Sequence, residues 1–407
     1  MSYFAIIVGA GPAGLLCALH LHKLRPDLAS RLLILEKKSH PRKKLCGGGV
    51  NRKAFGVLRE AGIDFECEAP AHFNAGGYDI RFRDKRHIVE KPGGTLIFDR
   101  AVLDSWLCDR VRAAGIEVRE NEAVESYEVA REGVVVTTEK GTYEAQAIVA
   151  CDGVGSKVRK LAGFEDEYPR ARLIQGERPL NPGDENYLVF DFSCMDHGIQ
   201  GYTWLFPEPD PADRTGKKLV AKIGLYDRTP QASRRVNPRP LLCEIARGYG
   251  YEFAESDFES WAIREWTPRS EFAKPRVLLA GDAAGADPLV AEGLHQAFAY
   301  GRHAAHALAA AQVARDYSFK HYTRDIRRGE LGAELARNRL GAGLLYTPAY
   351  EYMLRAGFKL PGILERVFAY VAGEAPELSG LQPRDVVTKT LWHTARRILP
   401  PLRLLDP

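Results

Sequence analysis

Two kinds of residue in this chain are spaced for chemistry: glycines that let backbone approach a ligand, and carboxylates that close apolar runs. Gly9-Ala10-Gly11-Pro12-Ala13-Gly14 follows the apolar run Ile6-Ile7-Val8, and Glu36 closes the next run, Leu32-Leu33-Ile34-Leu35. Gly9 permits a sharp strand-to-helix turn, Gly11 lets main chain approach a pyrophosphate, and Gly14 lets the helix lie close to the strand. The N–H groups and positive end of that helix suit phosphates, and Ala13 lies in its first turn. Glu36, about twenty residues further on, is placed to accept hydrogen bonds from ribose hydroxyls. With no arginine in its place, the spacing suits a dinucleotide with an unphosphorylated ribose.

Two later segments repeat the pattern. Ile148-Val149-Ala150-Cys151-Asp152-Gly153 and Val277-Leu278-Leu279-Ala280-Gly281-Asp282 each close an apolar run with an aspartate, able to bind a ribityl or ribose hydroxyl. Asp287-Pro288 and Glu292-Gly293-Leu294-His295 follow, and a helix predicted from Gly293 aims its positive end at whatever lies ahead. Cys46 lies in Lys43-Lys44-Leu45-Cys46-Gly47-Gly48-Gly49, surroundings able to lower a thiol pKa and leave N–H groups free. Tyr202, Trp204 and Phe206 are spaced by two and so share one face of a predicted strand, as the wall of an apolar channel or as sheet core. The histidines show no metal-ligand spacing, so no metal is expected; His295 reads as structural or as facing the ligand.

The elements that position these residues follow from periodicity. Strands are predicted over 78–82, 94–98, 116–118, 123–129 and 134–138, with a helix over 100–114. From 172 to 267 the pattern is one of amphipathic strands, at 187–192, 201–206, 219–226 and 261–266, interrupted by a helix over 240–248. This divides the chain into a discontinuous dinucleotide-binding domain (1–75, 98–170 and 274–312), a sheet-rich substrate domain (76–97 and 171–273) and a helical C-terminal region (313–407). The fold class is therefore α/β with an α+β insertion. At 407 residues and net charge +4, nothing points to nucleic acid. Seven cysteines without a C-x-x-C pair argue against a disulfide framework, structural zinc or an iron–sulfur cluster. No leader and no membrane-length apolar run is read, which places the protein in the cytoplasm or peripherally on a membrane. The Trp, Leu and Arg mixture over 391–405 reads either as an interfacial segment or as a docking helix.

The three fingerprints together resemble those of p-hydroxybenzoate-hydroxylase-fold flavoproteins. Lys44-Leu45-Cys46-Gly47-Gly48-Gly49 and Tyr202-Thr203-Trp204-Leu205-Phe206-Pro207 narrow the resemblance to the geranylgeranyl reductase family, over roughly residues 4 to 310. It implies a Rossmann-type FAD-binding domain with FAD held by Gly9, Gly11, Ala13, Gly14, Glu36, Cys46, Gly47, Gly49, Arg100, Ala123, Asp152, Gly153, Asp282, Gly293 and Leu294. It also implies Cys46, Tyr202 and Trp204 at the reacting alkene. The expected activity is reduction of isolated C=C bonds in a polyprenyl group on a lipid, chlorophyll-type or quinone substrate. An aromatic hydroxylase (monooxygenase) on the same fold is the alternative. No second strand–glycine–helix unit is present for a nicotinamide, so NAD(P)H or another donor such as ferredoxin must visit an open face of the flavin.

Overall fold

Four short apolar runs align side by side as a parallel sheet, and their common edge makes the site. The computed structural model describes residues 2–165, 170–213, 218–229, 236–360 and 362–374. Tyr3–Val8 is central, flanked by Leu32–Leu35 on one side and Gly141–Ala150 on the other, with Glu117–Arg119 and Val277–Leu279 outside them. Every residue of Tyr3–Val8 and Leu32–Leu35 is buried, as expected for a sheet covered on both faces. Val8 is in register with Leu35 and Ala150, and Ala150 with Leu279. The residues that follow these four positions, Gly9, Glu36, Cys151-Asp152 and Ala280-Gly281-Asp282, therefore emerge along one edge. The helices Pro12–Leu24, Arg100–Ala113 and Leu294–Ala314 supply the covering apolar residues.

A seven-stranded sheet forms the second layer system, in the order Glu259–Arg264, Arg170–Pro179, Leu219–Asp227, Gly201–Pro209, Tyr187–Asp191, Gly77–Phe82, Lys85–Glu90. All pairings are antiparallel except that of Tyr187–Asp191 with Gly77–Phe82. A small sheet of Gly49–Asn51, Thr95–Ile97 and Phe73–Asn74 carries the chain away from the Cys46 loop.

Two readings of local pattern need correction. The strand at 201–206 was expected to be amphipathic, yet all nine residues of Gly201–Pro209 are buried. It is central in its sheet, and Leu241 and Leu242 of Pro238–Gly248 share a core with Leu354, Leu364 and Phe368 of the C-terminal helices. Arg170–Pro179 was missed as a strand because its charges break any alternation; it pairs on both sides, and Arg172 Nε donates to Asp227 at 2.8 Å. The C-terminal region contributes the helices Tyr322–Arg328, Glu330–Leu345, Tyr350–Lys359 and Ile363–Val371. The 391–405 segment lies outside the described residues. Among those described, no helix is long and apolar enough to cross a membrane.

Candidate functional site

At the aligned strand ends lies a cleft of about 690 Å³, lined by Gly9, Gly11, Ala13, Glu36, Cys46, Arg100, Ala123, Asp152, Gly153, Asp282, Gly293 and Leu294. Gly14 is buried in the first helix behind it, and Gly47 and Gly49 face a different cavity. Gly9 has φ +104, and a Cβ there would lie 2.4 Å from the Cys151 carbonyl oxygen, so the turn accepts no side chain. The first helix begins at Pro12 after Gly11, and no side chain caps it. Its N-terminal N–H groups therefore remain open to an anion.

Charge in the cleft fits a diphosphate flanked by hydroxyls. Arg42, Lys43, Lys44 and Arg100 line it together with Glu36, Asp152 and Asp282. Glu36 is buried, its Oε2 accepting from the Ala10 N–H at 2.9 Å and its Oε1 from the Lys38 N–H at 3.0 Å. Asp152 Oδ2 accepts from the Lys157 N–H at 2.7 Å, whereas its buried Oδ1 has no protein partner. Burial pushes the Asp152 carboxyl above its ordinary value. An acceptor left unsatisfied at this depth is costly unless a ligand hydroxyl meets it, which is the arrangement a dinucleotide with a polyol chain completes.

The surroundings of Cys46 hold a further cation besides those of its own loop. Lys43 pairs with Glu259, and Lys44 reaches Asp282 at 3.7 Å and lies 4.4 Å over the Trp261 ring. Lys44 and Arg100 both interact electrostatically with Cys46, and Arg100 donates to both Asp104 carboxylate oxygens at 2.9 Å. Burial opposes the Arg100 charge, but Asp104 and Cys46 hold its pKa above the ordinary value. Cys46 Sγ itself accepts from the Gly48 N–H at 3.4 Å.

A second, narrower chamber of about 90 Å³ adjoins the cleft. Tyr202, Trp204, Phe206 and Phe190 line it, together with Gly47, Gly49 and Glu292. It shares Cys46, Leu173, Ala291, Gly293 and Leu294 with the cleft, so the two meet at the Cys46 loop and the start of the long helix. The aromatic rings are mutually packed, Phe190 stacking on Tyr202 at 5.2 Å and Trp204 lying 6.1 Å from Tyr202. Gly224, on the neighbouring strand, makes room for Trp204: a Cβ there would lie 2.1 Å from the indole.

Three tyrosines tie down the loop that separates the two cavities. Tyr226 donates to the Pro288 carbonyl at 3.1 Å, Tyr346 to Leu289 at 2.7 Å and Tyr202 to Val290 at 2.6 Å. Asp287 is buried and accepts from the Leu289 and Val290 N–H groups. Ala291, next in the chain, holds φ +56, a conformation that costs about 1–3 kcal/mol and persists where surroundings enforce it. Tyr226, Tyr346, Arg42 and Gly224 were not singled out from sequence, because their partners lie far away along the chain. Nor was Glu334, which meets His295. His295 lines neither cavity; it is buried between Glu292 and Glu334.

The FAD binding domain family matches residues 3–328. The chain is 31% identical over 310 residues to the 12-dehydrotetracycline 5-monooxygenase/anhydrotetracycline 6-monooxygenase of Streptomyces rimosus, covering 70% of this chain and 58% of that protein. It is 27% identical over 313 residues to digeranylgeranylglycerophospholipid reductase 2 of Methanothermobacter thermautotrophicus, covering 73% of this chain and 75% of that protein. A geranylgeranyl bacteriochlorophyll reductase-like protein from Thermoplasma acidophilum shares the fold, with a TM-score of 0.72 at 18% identity over 98% of this chain and 97% of the other. The Streptomyces relative is longer, and this chain spans little more than half of it. The cleft chemistry and the extent of the family match agree: the chain belongs to the FAD binding domain family and takes FAD as its cofactor.

Proposed function

We propose that this protein is an FAD-dependent oxidoreductase that reduces isolated C=C bonds in a polyprenyl, geranylgeranyl-type group of a lipid, chlorophyll-type or quinone substrate. The observation that carries the reading is the aromatic chamber opening into the cofactor cleft at Cys46 and Gly293. Its walls are carbon-rich, and each buried CH₂ contributes about 0.8 kcal/mol, so an isoprenoid end binds there without a polar handle. The names of the methanogen and Thermoplasma relatives point the same way.

In its reduced form, bound FAD supplies a hydride. The chain's own residues hold the alkene and manage charge. Trp204 and Tyr202 present ring faces to the positive charge that develops on an unactivated alkene carbon. Tyr202, through its bond to Val290, also fixes the loop between the cavities. Cys46, at the junction, borders both the cofactor cleft and the chamber, where it shapes how the alkene meets its proton. The external donor that recharges the flavin is NAD(P)H or another reductant.

The Streptomyces relative favours a second reading, aromatic hydroxylation. The chamber weighs against it: about 90 Å³ takes the end of a narrow chain, whereas drug-sized ligands occupy roughly 300–1,000 Å³. Mass spectrometry of products from a panel of prenyl and phenolic substrates, with chemically reduced enzyme and then with NADPH and O₂, decides between them. Gain of hydrogen on a prenyl chain is expected. Oxygen added to a ring overturns the reductase reading.

A further inference from the structure

Behind Gly293 and Leu294 runs a file of ionisable side chains drawn from separate parts of the chain. Glu292, just before the helix Leu294–Ala314, lines the aromatic chamber. Its Oε1 lies 2.6 Å from His295 Nδ1. His295 Nε2 lies 2.8 Å from Glu334 Oε1, on Glu330–Leu345, slightly off the line of an ideal hydrogen bond. Lys53, on Arg52–Glu60, donates from Nζ to Glu334 Oε2 at 3.1 Å, and its side chain is 19% exposed. The file therefore leads from the chamber to the protein surface.

We infer that Glu292, His295, Glu334 and Lys53 form a proton relay that feeds the aromatic chamber from solvent, a role that rests on the reductase reading above. Saturating a C=C bond consumes one hydride and one proton. His295 Nδ1 first passes its proton to the Glu292 carboxylate; the π electron pair of the alkene then forms a C–H bond with that proton, and the adjacent carbon takes the hydride with its electron pair from the reduced cofactor, which is thereby oxidised. Glu292 is left a carboxylate, and His295, which keeps its Nε2 proton, turns over so that its bare nitrogen faces the Glu334–Lys53 side and is reprotonated there. An imidazole suits the middle position because it accepts on one nitrogen while donating from the other.

Charge balance supports this reading. Two carboxylates, one imidazolium and one ammonium sum to zero, so the buried file leaves no uncompensated charge. Burial works against a charged His295, but Glu292 and Glu334 override it and hold the ring protonated up to about 10. Glu334, despite burial, is pulled down to about 2 by His295 and Lys53. The other polar groups around the file are Gln296, donating to Glu334 at 3.2 Å, the buried Asp287 and Tyr78, and Tyr370, whose ring lies 4.2 Å from Lys53 Nζ. With the ring protonated, both imidazole nitrogens carry protons that face carboxylate oxygens.

The test uses the full-length, FAD-loaded protein. Glu292→Gln keeps the side-chain shape without an acidic proton. It is expected to slow single-turnover reduction of a geranylgeranyl substrate by at least about tenfold, with FAD content unchanged and part of the rate restored in Glu292→Asp. Lys53→Met, at the exposed end, is expected to slow the same step increasingly as pH rises. Nitrogen NMR of histidine-labelled protein should show one imidazole still doubly protonated at about pH 8, above the ordinary histidine range, and missing in His295→Gln. A neutral His295 at that pH, or a wild-type rate in Glu292→Gln, overturns the relay. If the wild-type protein reduces no prenyl chain, the reductase reading fails and the catalytic role of the relay falls with it, while the NMR signal independently reports the protonation of His295.

Discussion

The two cavities that meet at Cys46 are built by opposite means. The cleft, about 690 Å³, is made of strand-end loops, backbone N–H groups and charged side chains around the edge of a parallel sheet. The chamber, about 90 Å³, lies against a seven-stranded sheet and is walled by rings that also pack on one another. In the cleft, several ligand-facing groups have duties the scaffold can spare: Asp282 is 34% exposed in its side chain and pairs only loosely with Lys44. In the chamber, the atoms that face a ligand are the same atoms that hold the sheet together. Substitutions in the cleft should therefore cost ligand affinity, and substitutions in the chamber should cost fold stability first.

Trp204→Ala carries the largest expected effect. The residue is 2% exposed, and truncating a buried aromatic typically costs about 3–5 kcal/mol. Urea unfolding should show that loss, with flavin still bound below the transition and prenyl turnover weakened. Loss of flavin in the folded variant would mean that the chamber and cleft are one unit. Asp282→Ala and Glu36→Ala come next, each expected to lower FAD affinity by about 1.5–3 kcal/mol, read as flavin absorbance per protein after dialysis. Asp282→Ala is the cleaner of the two, since Glu36 also satisfies the Ala10 and Lys38 N–H groups. Full occupancy in both would remove the carboxylates from the cofactor site. Gly224→Ala drives a methyl into the Trp204 indole and should cost about 1–3 kcal/mol of stability with FAD content intact.

The same contrast decides what could be read from the sequence. The cleft was legible because each of its parts is a local pattern: an apolar run, a glycine or acid at its end, a helix after it. Sheet register then brings Gly9, Glu36, Asp152 and Asp282 together without further information. The chamber was legible only as three aromatics spaced by two. Its depth depends on strand order, on Gly224 opposite Trp204, and on helices from the C-terminal region that carry no motif. The tyrosine clamp pairs residues 62, 57 and 88 positions apart, and such contacts leave no trace in spacing. Burial across the whole Gly201–Pro209 strand erased any polar alternation, so only the spacing of its aromatics marked the chamber face.

A pH experiment sharpens the comparison at a point where the C-terminal helices reach the site. The His295 pKa is raised from 6.5 to about 10 in the folded protein, so its contribution to stability is complete below the unfolded value and is lost as pH rises toward 10. Glu334, lowered from 4.5 to about 2, contributes above its unfolded value and loses that contribution as pH falls through 2. Asp287, pushed up to about 6 by burial, loses its contribution as pH rises from 3.8 to that value and adds no slope above it. Unfolding free energy should therefore decline from about pH 7 to 10, and His295→Gln should flatten that decline. An unchanged slope in the variant would show that His295 does not hold its proton more tightly in the folded state.

Cys46→Ser carries the smallest expected effect on structure and separates the two cavities most finely. The residue stands on the shared rim, half-buried, with Sγ accepting from the Gly48 N–H at 3.4 Å and interacting with the Arg100 guanidinium. A hydroxyl is smaller than a thiol and forms that bond as readily, so the loop should hold its shape and stability should change by less than about 1 kcal/mol. The Arg100–Asp104 pair that supports the cleft side remains, so FAD content should stay at the wild-type level. What changes is acidity, since a serine hydroxyl does not ionise where a thiol does. The rate or extent of bond reduction in a single turnover should shift while the flavin spectrum and thermal unfolding do not. An unchanged rate and product distribution would leave Cys46 as packing between two cavities.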